Sequence, residues 1–147
     1  MATIRRALPA DAPAILALLD AYSREVETHL DEDHLAAAMV PLIERPELGD
    51  LLVADQNGSL VGYVVITWGW GIESGGAEAL VDEMFVTSEF RNQGVGTLLM
   101  TAAIERARER EVKVVFLETE SNNPESRVLY DRLGFELESS IWMSRRI

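Results

Sequence analysis

A mixed α/β sandwich in a single domain, residues 1–147, is the fold class this sequence predicts, and three observations carry it. Apolar spacing switches repeatedly between the period of a strand and that of a helix, in the order β-α-α-β-β-β-α-β-α-β. Asn57-Gly58 separates two apolar runs, LLVADQ and SLVGYVVITWGW, which is the pattern of a tight hairpin. The stretch RNQGVG (91–96) stands between a β-like run and an amphipathic run, with two glycines where regular structure disfavours them.

Taken in order, TIRRAL (3–8) is an opening strand, and Pro9-Ala10-Asp11 a turn with Asp11 suited to cap a helix. Ile15, Leu18, Leu19 and Tyr22 keep helical spacing, and a second helical pattern runs from His34 to Arg45 before Pro46 and Gly49. Residues 51–70 form the hairpin, and AEALVDEMFV (77–86) continues the sheet, where alternation sends Asp82 and Glu83 to opposite faces. Gly94 to Arg110 is helical, with Val95, Leu98, Leu99, Ala102 and Ala103 on one face and charges on the other. VKVVFLET (112–119) is a strand. PESRVLYDRLGF (124–135) is a short helix with Asn123 as cap, Pro124 in its first turn and Gly134 at its end. FELESSIWMSRR closes the chain as one or two strands.

Composition narrows the function. Hydrophobic residues make up 48% of the 147, with three Trp and four Phe, enough apolar surface to offset chain entropy. With no cysteine, disulfides, thiolate metal sites and a cysteine nucleophile are excluded together. A net charge of -12 argues against nucleic acid and anionic membranes as partners, and serves either solubility or attraction of a basic partner. No window approaches ~18 apolar residues and the N-terminus lacks an apolar leader, so a soluble, cytoplasmic protein is expected. His29 and His34 share no helical face, so no metal site is expected.

The glycine stretch admits two readings from its residues alone. A strand, then Arg91-Asn92-Gln93-Gly94-Val95-Gly96, then a helix is a geometry in which free N–H groups converge on an anion, and glycine lets a ligand approach. An ordinary glycine-rich turn fits equally. A dinucleotide fingerprint would need glycine at Leu99, and a P-loop would need Gly-Lys-Ser/Thr, so both common phosphate motifs fail.

DEMFVTSEFRNQGVGTLLM resembles the acetyl-coenzyme A motif of the GNAT superfamily of N-acetyltransferases, Gln/Arg-x-x-Gly-x-Gly/Ala. NPESRVLYDRLGFE resembles the later motif of the same superfamily at Asn123, Tyr130, Gly134 and Phe135, with Ser126 in place of the usual alanine. The resemblance spans about residues 3 to 146. It implies a central mixed, mostly antiparallel sheet, splayed at the cofactor site and flanked by about four helices. It also implies acetyl-coenzyme A as cosubstrate, with no metal.

Carried over residue by residue, the resemblance assigns Met84, Phe85 and Val86 to backbone pairing with pantetheine, as though a strand were added. Arg91, Asn92, Gln93, Gly94, Val95, Gly96 and Thr97 form the pyrophosphate loop, and Asn123 and Ser126 line the pantetheine arm; a helix cap is an adequate role for Asn123 too. Tyr130 matches the general acid that protonates the departing sulfur. With a phenol near ~10 and a thiol near ~8.5, that transfer is uphill by roughly 2 kcal/mol, which suits a late donor. An alkyl ammonium near ~10.4 must lose a proton before attack, and Glu83 and Glu118 are the candidate bases, Glu83 preferred.

Acceptor specificity in the superfamily comes from the first helices and hairpin loops, here SREVETHLDEDH (23–34) and TWGWGIESGG (67–76). Glu27 and Asp31 could draw a cation and Trp68 and Trp70 could stack on it, although the acids also suit a helix N-terminus and one Trp suits the core. The expected function is acetyl transfer to a primary amine, a small cationic molecule first and a protein or peptide second. A non-catalytic acyl-coenzyme A-binding module is the rival of a different class, and assembly as a homodimer is allowed.

Overall fold

Asn57 and Gly58 take positive φ, +55° and +86°, the backbone of a two-residue turn whose twist matches the strands it joins. They link β2 (Gly49–Gln56) to β3 (Ser59–Gly71) in the computed structural model, which describes residues 1–147. The sheet has the order β1-β2-β3-β4-β5, with β1 (Thr3–Arg6), β4 (Gly76–Val86) and β5 (Val114–Leu117) completing it. Neighbours are antiparallel except β4 and β5, which run parallel after the crossover through α3 (Val95–Glu109).

Alternation along the strands builds a core on each sheet face. On one side Leu52, Val64, Ile66 and Val81 meet Leu99, Met100 and Ala103 of α3, with Leu129 and Leu133 of α4 (Pro124–Arg132) and its neighbourhood packed at the margin. On the other, Val53, Tyr63, Val65 and Phe85 meet Ile15, Leu18 and Leu19 of α1 (Ala12–Glu25) and Leu35 and Met39 of α2 (Glu32–Glu44). Asp50 is fully buried between the layers. Arg106 Nε donates to its Oδ2 at 2.7 Å, and Arg6 Nη1 lies 2.7 Å from Oδ1 as a charge contact outside hydrogen-bond alignment. The carboxylate thereby ties β1 and α3 to β2, as a buried charge must be tied to persist.

Three local expectations change. Asp11 does precede α1, but its carboxylate turns back to accept the Leu8 N–H and Arg5 Nη1, both at 2.7 Å, so it closes the 3₁₀ turn Pro9–Asp11 and does not cap α1. Asp31 instead caps α2, accepting the His34 N–H at 2.8 Å, so that helix starts before His34. Residues 133–147 form no strand: Leu137, Ile141 and Met143 are 82%, 87% and 91% exposed. Their alternation breaks at Ser139-Ser140, and the four-residue β5 offers a short edge to pair with.

The feature that positions the site is a parting of strands. β4 pairs with β5 only from Glu78↔Val114 to Val81↔Leu117, while it stays paired with β3 as far as Val86. At the point of parting, the β3–β4 register shifts so that Val65 faces Glu83 and Ile66 faces Val81. Asp82 is the extra residue, a β-bulge that bends β4 and interrupts the expected Asp82/Glu83 alternation.

Candidate active site

Past the bulge, Met84, Phe85 and Val86 are paired to β3 alone, so their other backbone edge is open on the side where β5 has ended. Met84 packs into the α3-side core and Phe85 into the α1-side core, which fixes the edge between two packed layers. Beyond it, a 3₁₀ turn (Ser88–Phe90) leads to Gly94, whose φ of +84° is a conformation that glycine tolerates best. A Cβ on Gly94 would meet no atom within 4 Å, so the loop is open above it. Gly96 is more enclosed: a Cβ there would lie 3.5 Å from Leu129 Cδ2 and 3.7 Å from Met84 Cε.

The ladder of α3 begins with the Leu98 N–H donating to the Gly94 carbonyl at 3.0 Å; the Val95, Gly96 and Thr97 N–H groups before it find no acceptor in the chain. Three free donors at the positive end of a 15-residue helix, beneath an open glycine, fit a pyrophosphate. The side chains of the loop are largely engaged elsewhere. Gln93 Nε2 donates to the Glu89 carbonyl at 2.9 Å; Arg91 donates to the Val86 carbonyl at 2.8 Å and to Glu25 at 2.7 Å, with its guanidinium 5.5 Å from the Phe85 ring centroid. Asn92 is exposed, with φ of +60°. Asn123 caps α4, its Oδ1 accepting the Ser126 N–H at 3.3 Å.

At the parting itself, Glu83 is half-buried and accepts a 2.5 Å hydrogen bond on Oε1 from the Tyr63 hydroxyl. Burial raises the Glu83 pKa above the ordinary carboxylate range; the Tyr63 bond pulls it back and the Asp82 charge pushes it further up. Tyr22, on α1, has its phenol pushed up to about 12 by burial and then by the charges of Glu83 and Asp82, and it also lies within electrostatic reach of Tyr130 and Glu120. Tyr130 is partly buried, edge-on to Phe135 at 6.1 Å, and burial raises its pKa. One cluster therefore gathers α1, β3, β4 and α4 around the open edge. Glu118 stands differently: it is exposed just beyond β5 and bonds to no neighbour.

The residues expected to meet the acceptor are dispersed. Glu27 is exposed after α1, and Asp31 is occupied as the α2 cap. Trp68 donates from Nε1 to the Pro46 carbonyl at 3.1 Å, with the Arg110 guanidinium 4.5 Å over its ring, so it braces the α3 side. Trp70 is 77% exposed near the hairpin tip. Tyr63 and Tyr22 escaped sequence reasoning, as did the pairing of Glu25 with Arg91. Tyr63 and Tyr22 read as ordinary members of apolar stripes, and the bulge that sets Glu83 beside Tyr63 leaves no mark in VDEMFV.

Known proteins resemble this chain in sequence and in fold. Residues 12–135 match the acetyltransferase (GNAT) family. The N-acetyltransferase YhfO of Bacillus subtilis (strain 168) is 29% identical over 133 residues, covering 90% of this chain and 89% of its own. The L-methionine sulfoximine/L-methionine sulfone acetyltransferase of Pseudomonas paraeruginosa (strain DSM 24068 / PA7) is 34% identical over 144 residues, covering 92% and 81%. Among solved structures, an aminoglycoside N-acetyltransferase in complex with CoA superposes with a TM-score of 0.85 at 17% identity, over 99% of this chain and 95% of that one, which is a likeness of fold. With the glycine loop, the free N–H groups and the parted strands all present, the chain belongs to the acetyltransferase (GNAT) family and is an acetyl-coenzyme A-dependent N-acetyltransferase.

Proposed function

We propose that the acceptor is the primary amine of a small cationic molecule, which attacks the thioester directly with no covalent enzyme intermediate. The observation that carries the reading is the half-buried Glu83 at the point where β4 leaves β5. When bound, acetyl-coenzyme A supplies an electrophilic thioester carbonyl and a thiolate leaving group. The open edge of Met84, Phe85 and Val86 holds the pantetheine arm, and the N–H groups of Val95, Gly96 and Thr97 hold the pyrophosphate. Gly94 keeps the loop open, Asn92 and Gln93 shape it, and Arg91 braces it. Asn123 and Ser126 set the start of α4 beside the arm.

Deprotonating an alkyl ammonium near ~10.4 takes about 4.6 kcal/mol at pH 7. A carboxylate whose pKa burial has raised is a stronger acceptor than a solvated one, and Glu83 takes the proton from the amine through water. Glu118, open to solvent, is the weaker candidate. Tyr130 remains protonated until the sulfur develops charge, and then donates to it. The acidic surface, with Glu27 just past α1, Asp31 at the start of α2 and Trp70 exposed on the hairpin, favours a cationic acceptor; Trp68 is engaged with Pro46 and Arg110 instead. The relative that acts on methionine sulfoximine and sulfone supports a small molecule. The acidic chain is read as one cytoplasmic domain.

A thiol-release assay against matched panels of small cationic amines, neutral amines and peptides with free N-termini tests the reading. Turnover fastest with small cations supports it. Turnover confined to peptides would replace the acceptor, and coenzyme A binding with no turnover on any amine would favour the acyl-coenzyme A-binding module.

A further inference from the structure

Nothing in the ladder fixes a carboxylate at a bulge. Glu83 follows the extra residue Asp82, where β4 bends and has lost β5, so its three side-chain torsions need another constraint. Tyr63 provides one. It is fully buried on β3, its ring centroid 6.1 Å from that of Phe85, and its hydroxyl has Glu83 Oε1 at 2.5 Å as its acceptor. A phenol has two torsions, both immobilised here by packing, so it holds the flexible partner rather than being held by it. Glu83 Oε2 makes no hydrogen bond within the chain.

We propose that Tyr63 is the positioning residue for the proton acceptor, occupying Oε1 of Glu83 so that Oε2 alone is free to receive the proton of the amine. The inference rests on the reading of Glu83 as that acceptor. Tyr63 also sets when Glu83 is available. The groups that face the carboxyl are Tyr63 from β3, Tyr22 from α1 and Asp82 from its own strand, while Tyr130 of α4 and Glu120 lie within electrostatic reach of Tyr22. Of these, the Tyr63 hydrogen bond is the one that favours the ionised form, against burial and Asp82. Burial and the neighbouring carboxylate hold the phenol proton firmly, so Tyr63 stays a donor across the working pH range.

Tyr63→Phe deletes the donor and keeps the ring. In ¹³C NMR titrations of the side-chain carboxyls, with Glu83 assigned by loss of its signal in Glu83→Gln, the Glu83 midpoint should move up by about one pH unit, the scale of a hydrogen bond to a charged group. The ascending limb of kcat/KM against pH should move with it, and Tyr63→Phe should add no further shift in a Glu83→Gln background. An unmoved carboxyl titration in folded Tyr63→Phe overturns the coupling while leaving Glu83 as base. A moved titration with an unmoved rate profile, together with full activity in Glu83→Gln, overturns Glu83 as base and the positioning role with it. Should Tyr63→Phe fail to fold, the wild-type chain labelled at tyrosine Cζ decides the coupling: the Tyr63 signal must follow the Glu83 titration and cease to do so in Glu83→Gln, and a signal indifferent to that titration refutes it.

Discussion

Replacing Gly94 by Ala adds one methyl group in open space, so any effect must come from backbone conformation rather than crowding. At φ of +84° an L-residue is disfavoured by about 1 kcal/mol or somewhat more. If the loop bears that strain, the melting temperature falls by only about 2–4 °C, given a chain of this size. If it relaxes toward negative φ, the peptide planes before α3 turn and the N–H groups of Val95 to Thr97 lose their common focus. Losing one charge-assisted bond to a phosphate weakens binding by roughly tenfold or more, since such bonds are worth about 1.5–3 kcal/mol. Titration calorimetry with coenzyme A and, separately, with pantetheine isolates the effect, because pantetheine lacks the pyrophosphate. Coenzyme A affinity should drop in Gly94→Ala while pantetheine affinity holds. Gly96→Val should weaken both, because its side chain presses on Met84 and Leu129 beside the open edge. An equal loss for both ligands in folded Gly94→Ala, or unchanged coenzyme A affinity with no fall in melting temperature to show the strain being borne, would refute the assignment of the pyrophosphate to these N–H groups.

Tyr130→Phe keeps the edge-on contact with Phe135 and removes one hydroxyl, so kcat should fall by about 10²–10⁴ with coenzyme A affinity and melting temperature nearly unchanged; a wild-type rate in single-turnover experiments would make Tyr130 a packing residue. Neutralising Glu27, Asp31 and Asp33 as Gln, Asn and Asn preserves the α2 cap, because Asn caps as well as Asp, so stability should change by a few degrees at most while acceptor KM rises and loses its salt dependence. A KM that stays put would remove the acidic stretch from the acceptor site. For Glu83, the folded pKa lies above the unfolded one, so the folded chain binds that proton more tightly. Its stabilising contribution is therefore full below the ordinary carboxylate pKa and is lost as pH rises through the raised value. Thermal melts from pH 4 to 8 should show wild type losing stability relative to Glu83→Gln across that window, and parallel curves would place Glu83 in an unperturbed setting.

Elements that rest on local chemistry were legible in the residues. Asn57-Gly58 dictates its own turn, the apolar stripe of α3 dictates which face is buried, and the Pro124-to-Gly134 punctuation brackets α4 closely. The glycine loop and the free N–H groups at the start of α3 were legible for the same reason, since unpaired donors follow from any helix start and glycine from any tight turn. What escaped depends on contacts far apart in the chain. Asp11 was expected to cap α1 and instead answers to Arg5, a residue on the strand before it. The pairing of Glu83 with Tyr63 spans twenty residues and turns on a one-residue slip in register that no side chain announces.

Arg91 is the sharpest instance. Its place in the glycine motif suggests a cation for the pyrophosphate, yet its guanidinium is shared among the Val86 carbonyl, Glu25 and the Phe85 ring. These contacts join the end of α1 to the end of the open strand, so in the proposed reading Arg91 acts on the donor site by holding its frame. The Glu25 pair is largely exposed and contributes little to stability on its own. The Val86 bond is different in kind, because it satisfies a backbone carbonyl where β4 ends and the loop begins. The proposed pyrophosphate site then rests on the backbone of α3, whose free N–H groups are set by the helix start and need no reorganisation to receive a phosphate. An enzyme with a net charge of -12 can hold a polyanionic cosubstrate on that basis, because dipoles in contact act at distances where the remote carboxylates, beyond ~8 Å, are screened.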